Sequence, residues 1–271
     1  MMDVRLAIAA AAALGSGPVV FRRGFRHLRT CRLIQNTPTA RIRSMPMGLV
    51  EINGEVMPRS RVVAPFSGQP CAYWEVDISV RGRRRGGWTV VHRNQSGHPF
   101  YVRDETGLAL VYPHGADCRI RFGTEEDCLG LNLPECYVDY LKQHPSALTP
   151  VIRLSTMRFR ERKLEEGQRV YVLGTAVPRS REVVISDGDV LAATGTDDRH
   201  ATRLRSLDAE VDAVVRQGEN EATFLISQES ERDLVLGLRW KALGMICGGP
   251  ALTLFGLGYW LAVMSAGRMP R

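Results

Sequence analysis

The stretch "RLIQNTPTARIRSMPMGLVEING", Arg32 to Gly54, opens on arginines that follow an apolar N-terminus. It closes on a run in which Leu49, Glu51 and Asn53 alternate with Val50 and Ile52 before Gly54. A period of two places successive side chains on opposite faces and predicts a half-buried strand. The stretch therefore reads as a boundary between a basic segment beside apolar sequence and the first strand of a β-rich domain.

Charge supports that boundary. Among 271 residues the formal net charge is +7. Arg22, Arg23, Arg26, Arg29, Arg32, Arg41 and Arg43 fall in one window that contains no acid and carries the whole of that excess. The rest of the chain is balanced, which argues against a nucleic-acid-binding domain, where basicity spreads over a face. At 24% charged and 44% hydrophobic residues the chain is long and mixed enough for one or two domains with a core. The six cysteines, at 31, 71, 118, 128, 136 and 247, include no C-x-x-C pair, so neither a zinc knuckle nor a dithiol redox motif is expected. They are read as free thiols, mostly buried.

Both ends are apolar. Ala242 to Met264, "ALGMICGGPALTLFGLGYWLAVM", is 23 residues without a charge. As a helix it spans roughly 34 Å, enough for a bilayer core. Arg239 and Lys241 flank one end and Arg268 the other, with Tyr259 and Trp260 toward the far interface. Gly244 and Gly248 form a G-x-x-x-G that suits close helix packing. The N-terminal segment Leu6–Phe21 is shorter, alanine-rich and interrupted by Pro18. It fits a short spanning helix or a cleaved signal peptide. Arg22 and Arg23 directly after it disfavour translocation of the next segment, so the uncleaved helix is the expectation. Arg22, Arg23, Arg26, Arg29 and Arg32 then place the middle of the chain on the cytoplasmic side by the positive-inside rule.

Between the ends the pattern is mostly β. "CAYWEVDISV" (71–80) alternates, "RGRRRGG" (81–87) reads as a hairpin tip and "WTVVH" returns. "PFYVRDETGLALVYP" (99–113) is strand–turn–strand, with Asp104 to Gly107 as the turn. "GQRVYVLGTAV" (167–177) and "EVVISDGDVL" (182–191) add further strands. A glycine following an alternating run in both "VEINGEV" and "VYVLGTAV" predicts a strongly curved, partly closed barrel. Helices are expected over 134–144, over 201–218, where Leu204, Leu207, Val211, Val214 and Val215 fit helical spacing, and over 227–244, running into the second span. "TEEDC" (124–128) reads as an acidic loop or helix start.

In this order "RLIQNTPTARIRSMPMGLVEINGEV", "PFSGQPCAYWEVDI", "PFYVRDETGLALVYPHGA", "RERKLEEGQRVYVLGTA" and "FLISQESERDL" resemble the GIDE, or beside-a-membrane (BAM), domain family, a member of which is a mitochondrial E3 ubiquitin ligase. The likeness extends over roughly residues 6–264, the two-span layout included. It implies an α+β fold: a β-rich, partly barrel-like GIDE domain with a few helices, between two transmembrane helices. The layout expected is an N-terminal transmembrane helix over 1–24, the GIDE/BAM domain over 25–240, a C-terminal transmembrane helix over 241–264 and a short tail over 265–271. The family's ligase activity resides in a C-terminal RING built on zinc-binding cysteines and histidines. No cysteine or histidine follows Cys247 here, so the chain reads as a RING-less member with none of those catalytic or metal-binding positions. Following the mitochondrial relative would put the domain on the face opposite to the one the arginines favour.

The remaining candidates are weak. The histidines at 27, 92, 98, 114, 144 and 200 have no ligand spacing; "SDGD" (186–189) is an ordinary Asp-Gly hairpin; Ser67-Gly68 lacks the frame of a nucleophile elbow. No catalytic residue, metal ligand or cofactor is assigned. Arg83, Arg84 and Arg85 at the hairpin tip read first as an exposed, solvated turn, and as contacts they suit anionic headgroups better than nucleic acid; Arg22, Arg23, Arg26 and Arg29 are further candidates for headgroup contact. The partners expected are the lipid bilayer, an unidentified protein and a second copy of the chain packed through Gly244 and Gly248. The functional expectation is a membrane-anchored, non-catalytic interaction, assembly or sensing module. The alternatives are a component of E3-ligase-like activity and an oligomerising membrane-active effector.

Overall fold

The computed structural model describes residues 4–60, 62–82, 87–129, 132–144, 155–178, 207–219, 223–229 and 231–266. The arginines at 83–85 and the expected "SDGD" hairpin with its flanking strand lie outside them. In chain order the elements are α1 (Val4–Asn36), β1 (Gly48–Pro58), β2 (Val62–Val63), β3 (Pro70–Cys71), β4 (Tyr73–Arg81), β5 (Trp88–Gln95) and β6 (Phe100–Arg103). They continue as β7 (Leu108–Val111), β8 (Asp117–Arg119), β9 (Phe122–Leu129), α2 (Glu135–Gln143), β10 (Thr156–Leu164), β11 (Arg169–Pro178), β12 (Val211–Arg216), β13 (Leu225–Ser227) and α3 (Glu231–Ala266). The chain divides into two compact units: residues 39–229, and the two ends, 1–38 with 230–271.

The larger unit is built on a barrel. β1 pairs with β6, then follow β7, β12 and β11, and β11 closes the ring by pairing antiparallel with β1 from Gly48↔Ala176 to Glu55↔Arg169. Closure removes the open edges of the ring. The two glycines prominent in the sequence sit where backbone or neighbouring side chains come close. A Cβ on Gly54 would collide with the Arg103 carbonyl oxygen, and one on Gly174 would lie 2.8 Å from Val215 and 2.9 Å from Phe224. The barrel interior takes every second residue, as the alternation predicts: Val50, Ile52 and Val56 from β1, Phe100 and Val102 from β6, Val170 and Val172 from β11. β7 is buried along its whole length because it is covered on both sides. Ala109 and Val111 face the interior, while Leu108 and Leu110 pack outside with Tyr101, Leu207, Val211 and Val214.

The expectation of one helix over 201–218 is corrected here. Residues 207–210 are helical, but Val211–Arg216 is β12, parallel to β7 and antiparallel to β11. Val211, Val214 and Val215 satisfy a helical period and also suit a strand buried on both faces, and the pairing that completes the barrel decides between them. The helical turn is pinned to the barrel by Asp208, which accepts from Arg59 Nε and Nη2 at 3.2 Å each and from the Tyr101 hydroxyl. The acidic run 124–128 is likewise not a loop or helix start. It lies within β9, with Glu125, Glu126 and Asp127 opposite Arg160, Phe159 and Arg158 of β10.

The DETG turn is as expected. Asp104 accepts from the amides of Thr106 (2.6 Å) and Gly107 (2.9 Å), from the Thr106 hydroxyl (2.7 Å) and from the Ile42 amide (2.8 Å). Burial alone would raise its pKa, but these donors favour the carboxylate and hold it below the usual value.

A second sheet, in the order β5–β4–β10–β9, is antiparallel throughout. One of its faces carries Val76, Ile78, Met157 and Phe159 and is covered by α2 through Tyr137, Tyr140 and Leu141, with Phe66 between them. Tyr137 stacks on Phe159 with centroids 4.1 Å apart. Buried Glu161 on this face accepts from the amides of Phe66 (2.7 Å) and Ser67 (3.3 Å), which holds the turn carrying Phe66 in place. Ser67 thus serves a turn. α2 begins at Glu135 behind Pro134, as the sequence indicated.

In the smaller unit α1 runs unbroken for 33 residues through Pro18, and α3 for 36 through Pro250. The expected interruption at Pro18 does not occur, because one missing amide donor removes a single hydrogen bond from a long ladder. Helix α3 begins at Glu231 rather than Ser227, because 225–227 is β13, paired with β11 and β8. Both helices are long and apolar enough to cross a membrane. Their outer surfaces carry Ile8, Val19 and Phe25 on α1 and Leu254, Phe255 and Leu261 on α3, all exposed.

Candidate functional site

The face of the second sheet opposite α2 is where charge concentrates. Strand alternation puts Glu75, Asp77, Arg158, Arg160 and Arg162 on it, together with Arg93 of β5 and Glu125 and Asp127 of β9. Glu75 lies directly opposite Arg162, and Asp77 opposite both Arg160 and Arg93. Arg162 Nη2 donates to Asp77 at 3.0 Å and its Nη1 to the Cys118 carbonyl of β8 at 2.8 Å, which ties this sheet to the sheet of the barrel. Arg93 Nε donates to Asp77 at 2.6 Å and lies 3.5 Å from Glu75. Glu75 and Asp77 are buried. Burial raises the pKa of Glu75, and Asp77 adds to the rise, while Arg162 and Arg93 oppose it.

Further along the face the pairing continues. Arg158 holds Asp127 bidentately at 2.6 and 2.8 Å and lies 4.0 Å from the centre of the Trp88 ring. Arg160 donates to Glu125 at 3.2 Å, and both Arg160 and Arg162 lie over Phe122. The result is a rigid ladder in which cations are matched to carboxylates and stacked on aromatics. It offers recognition chemistry rather than a general acid and base facing a cavity.

The covered side of the same sheet holds the one histidine pair that the fold assembles among the described residues. His92 and His144 come within 5.5 Å, centroid to centroid, although 52 positions separate them in the sequence. His144 Nδ1 lies 3.0 Å from the Tyr140 carbonyl oxygen and must donate to it, so Nε2 is the acceptor for Asn94 Nδ2 at 3.2 Å. Asn94 also donates to the Tyr140 hydroxyl at 3.1 Å, and that hydroxyl is hydrogen-bonded to His92 Nε2 at 3.2 Å. Burial, and then the neighbouring His144, lower the pKa of His92.

A histidine with a depressed native pKa leaves stability unaffected above its unfolded pKa of about 6.5 and removes stability as pH falls below it. Amide exchange across α2 is therefore expected to accelerate at pH 5.5 relative to pH 7.5, after correction for intrinsic rates. His92→Phe should flatten the difference, and an unchanged pH response in that variant would contradict the assignment.

The residues singled out in the sequence are dispersed. Arg22, Arg23, Arg26 and Arg29 are exposed on the second half of α1. A Cβ added at Gly244 or Gly248 would have nothing within 4 Å; the close approach between α1 and α3 lies instead at Gly17, Gly24, Gly249 and Gly256. None of the six cysteines forms a disulfide, and Cys31, Cys71 and Cys118 are buried. Burial pushes the thiols of Cys71 and Cys118 up to about 11, which suits packing rather than nucleophilic attack. Among the described residues no group of three or more His, Cys, Asp or Glu is arranged to hold a metal ion. Sequence reasoning alone misses the paired sheet face, although the alternating acids of "EVD" in β4 and the arginines of "RFRER" in β10 are its visible signal.

Comparison with known proteins gives one family. The family model GIDE, described as E3 Ubiquitin ligase, matches residues 75–189. The match covers the four-stranded sheet, α2 and part of the barrel. Neither a curated protein nor a solved structure matches the chain. Two apolar helices flank the mixed α+β domain, and residues 75–189 of that domain are similar to the GIDE family.

Proposed function

We propose that this protein is anchored in a bilayer by α1 and α3 and uses its GIDE domain as a non-catalytic interaction, assembly or sensing module at the membrane surface. One observation carries the reading: two long helices whose outward side chains are large and apolar, which precede and follow in sequence a domain whose own hydrophobic residues are packed inside. Water is a poor solvent for that helical surface, and lipid is a good one. Two crossings place both chain ends on the same side. The arginines of α1 favour the cytoplasmic side for the domain by the positive-inside rule. The paired sheet face and the exposed Val90 and Val91 of edge strand β5 are the surfaces available to a protein partner.

The family description favours a second reading, participation in ubiquitin transfer. The chemistry of the domain speaks for the first, because the ionisable side chains of the sheet face are matched to one another and burial favours the protonated thiols of Cys71 and Cys118. Incubation of the purified protein with ubiquitin, its activating enzyme and a panel of conjugating enzymes is expected to give no chain growth. Growth that depends on this protein would replace the interaction reading with the ligase one. In cells, a reporter fused after Arg271 and one inserted within residues 83–86 are expected on opposite sides of the membrane. The insertion should report the cytoplasm, and a report from the other compartment would reverse the orientation.

A further inference from the structure

Within the helical unit, α1 and α3 do not meet along their whole length. Where Leu28 of α1 faces Leu236, Arg239, Trp240, Leu243 and Ile246 of α3, they leave a cavity of about 440 Å³. That volume lies in the range of small-molecule sites. Positions 236, 239, 240, 243 and 246 share one face of a helix. They extend over roughly 15 Å of its axis at 1.5 Å per residue. The wall is apolar except for one guanidinium, and Trp240 beside it is 72% exposed.

The cavity straddles a change in chemistry. Arg239 and Lys241 precede the uncharged run that begins at Ala242, so Arg239 and Trp240 belong at headgroup level and Leu243 and Ile246 at the depth of acyl chains. Arg26, Arg29 and Arg32 lie near Leu28 along α1, with Asp233 one turn before Leu236 on α3, so cations outnumber acids along these helix segments. Guanidinium binds phosphate oxygens bidentately, and an indole ring suits the glycerol and ester level of a bilayer.

We propose that this groove holds one anionic phospholipid, with its phosphate on Arg239, its glycerol region against Trp240 and one acyl chain along Leu28, Leu243 and Ile246. The proposal rests on the membrane-anchored reading and adds to it a specific, charge-selected lipid. The lipid fills the gap that the two helices leave and joins them at the interface.

The test uses the full chain reconstituted in bilayers of phosphatidylcholine with a minor share of phosphatidylglycerol. Lipids retained after release into detergent are counted by native mass spectrometry. One phosphatidylglycerol per chain is expected, enriched over its bulk share. Arg239→Gln should reduce that preference about fivefold, the effect of one cation near an anionic headgroup. Leu243→Trp fills the groove while keeping the charge and should reduce retention of both lipids. Leu261→Trp, on an outward position away from the groove, should match wild type.

Retention of phosphatidylglycerol at no more than its bulk share, or wild-type retention in both groove variants, overturns the proposal. So does a Leu243→Trp variant that converts a dimer to a monomer with lipid unchanged, since a second copy would then be the occupant. Alkaline extraction from pure phosphatidylcholine vesicles separates the two levels. A chain that washes off refutes membrane anchoring itself, whereas one that stays but shows no headgroup preference refutes only the lipid site.

Discussion

Gly249→Ile is expected to separate α1 from α3, whereas Gly244→Ile, only five residues earlier on the same helix, should leave them together. The difference is geometric. A Cβ at position 249 would sit 2.8 Å from the Gly17 carbonyl oxygen and 2.9 Å from both Phe21 N and Phe21 Cβ. Two of these are backbone atoms of the facing helix, and they have no rotamer to move into. The contact recurs at Gly256, where a Cβ would meet Leu14 at 2.6 Å and the Ala10 carbonyl oxygen at 2.7 Å. On α1, Gly17 and Gly24 make the reciprocal approach to Thr253 and Ile246. Carbon atoms prefer separations near 3.5–4.0 Å, so a larger residue here forces the axes apart and forfeits dispersion contacts along the seam.

Overpacking of this kind costs about 1–3 kcal/mol. The chain carries its own reporter. Cys31 is buried in this unit, 3.8 Å from the Val235 carbonyl oxygen, whereas Cys247 is exposed. Modification of Cys31 by a lipophilic maleimide, with Cys247 as internal reference, should accelerate about tenfold or more in Gly249→Ile, since the rate follows the open population. It should stay at the wild-type rate in Gly244→Ile and Gly248→Ile. Equal acceleration in all three would place the seam elsewhere.

That contrast separates local signals from those that only the fold creates. A G-x-x-x-G is visible at 244 and 248, but which face of a uniformly apolar helix meets its neighbour is set by the neighbour. The seam instead uses pairs seven apart, 17 with 24 and 249 with 256, a spacing that keeps residues on one side of packed helices. The hairpins β4–β5 and β6–β7 and helix α2 were legible because turn residues and periodicity are local signals. Barrel closure was legible only in outline, through the glycines at 54 and 174. The strand at 211–216 was not, because its valines fit either period and only pairing with β7 and β11 decides. The histidine network was illegible for a similar reason. His92 lies on β5 and His144 just past α2, and nothing short of the fold brings them to Asn94 and Tyr140.

Arg162→Met is the substitution expected to cost the β-rich unit most. Arg162 donates to Asp77 at 3.0 Å and to the Cys118 carbonyl at 2.8 Å, and lies 3.7 Å from Glu75. Methionine fills much of the same volume, so the change removes charge and donors without opening a large void. It leaves Glu75 and Asp77 buried with only Arg93, whose side chain is 60% exposed, to balance them. Removing one partner of a buried ion pair costs about 3–5 kcal/mol, because the other charge stays without compensation.

The pH dependence distinguishes this mechanism from lost packing. Burial already holds the Glu75 pKa above its usual value, and Arg162 is the leading opposing influence. An acid whose native pKa is raised binds more protons folded than unfolded, so its penalty is full at neutral pH and disappears as pH falls below the unfolded pKa. Without Arg162 the rise is greater. The deficit of Arg162→Met in chemical denaturation should therefore be largest at pH 7.5 and shrink toward pH 4.5. A loss below about 1 kcal/mol at pH 7.5 would mean that Arg93 and solvent suffice for the two carboxylates. A loss that does not change with pH would assign the role of Arg162 to its bond with Cys118, the link between the two sheets, rather than to charge.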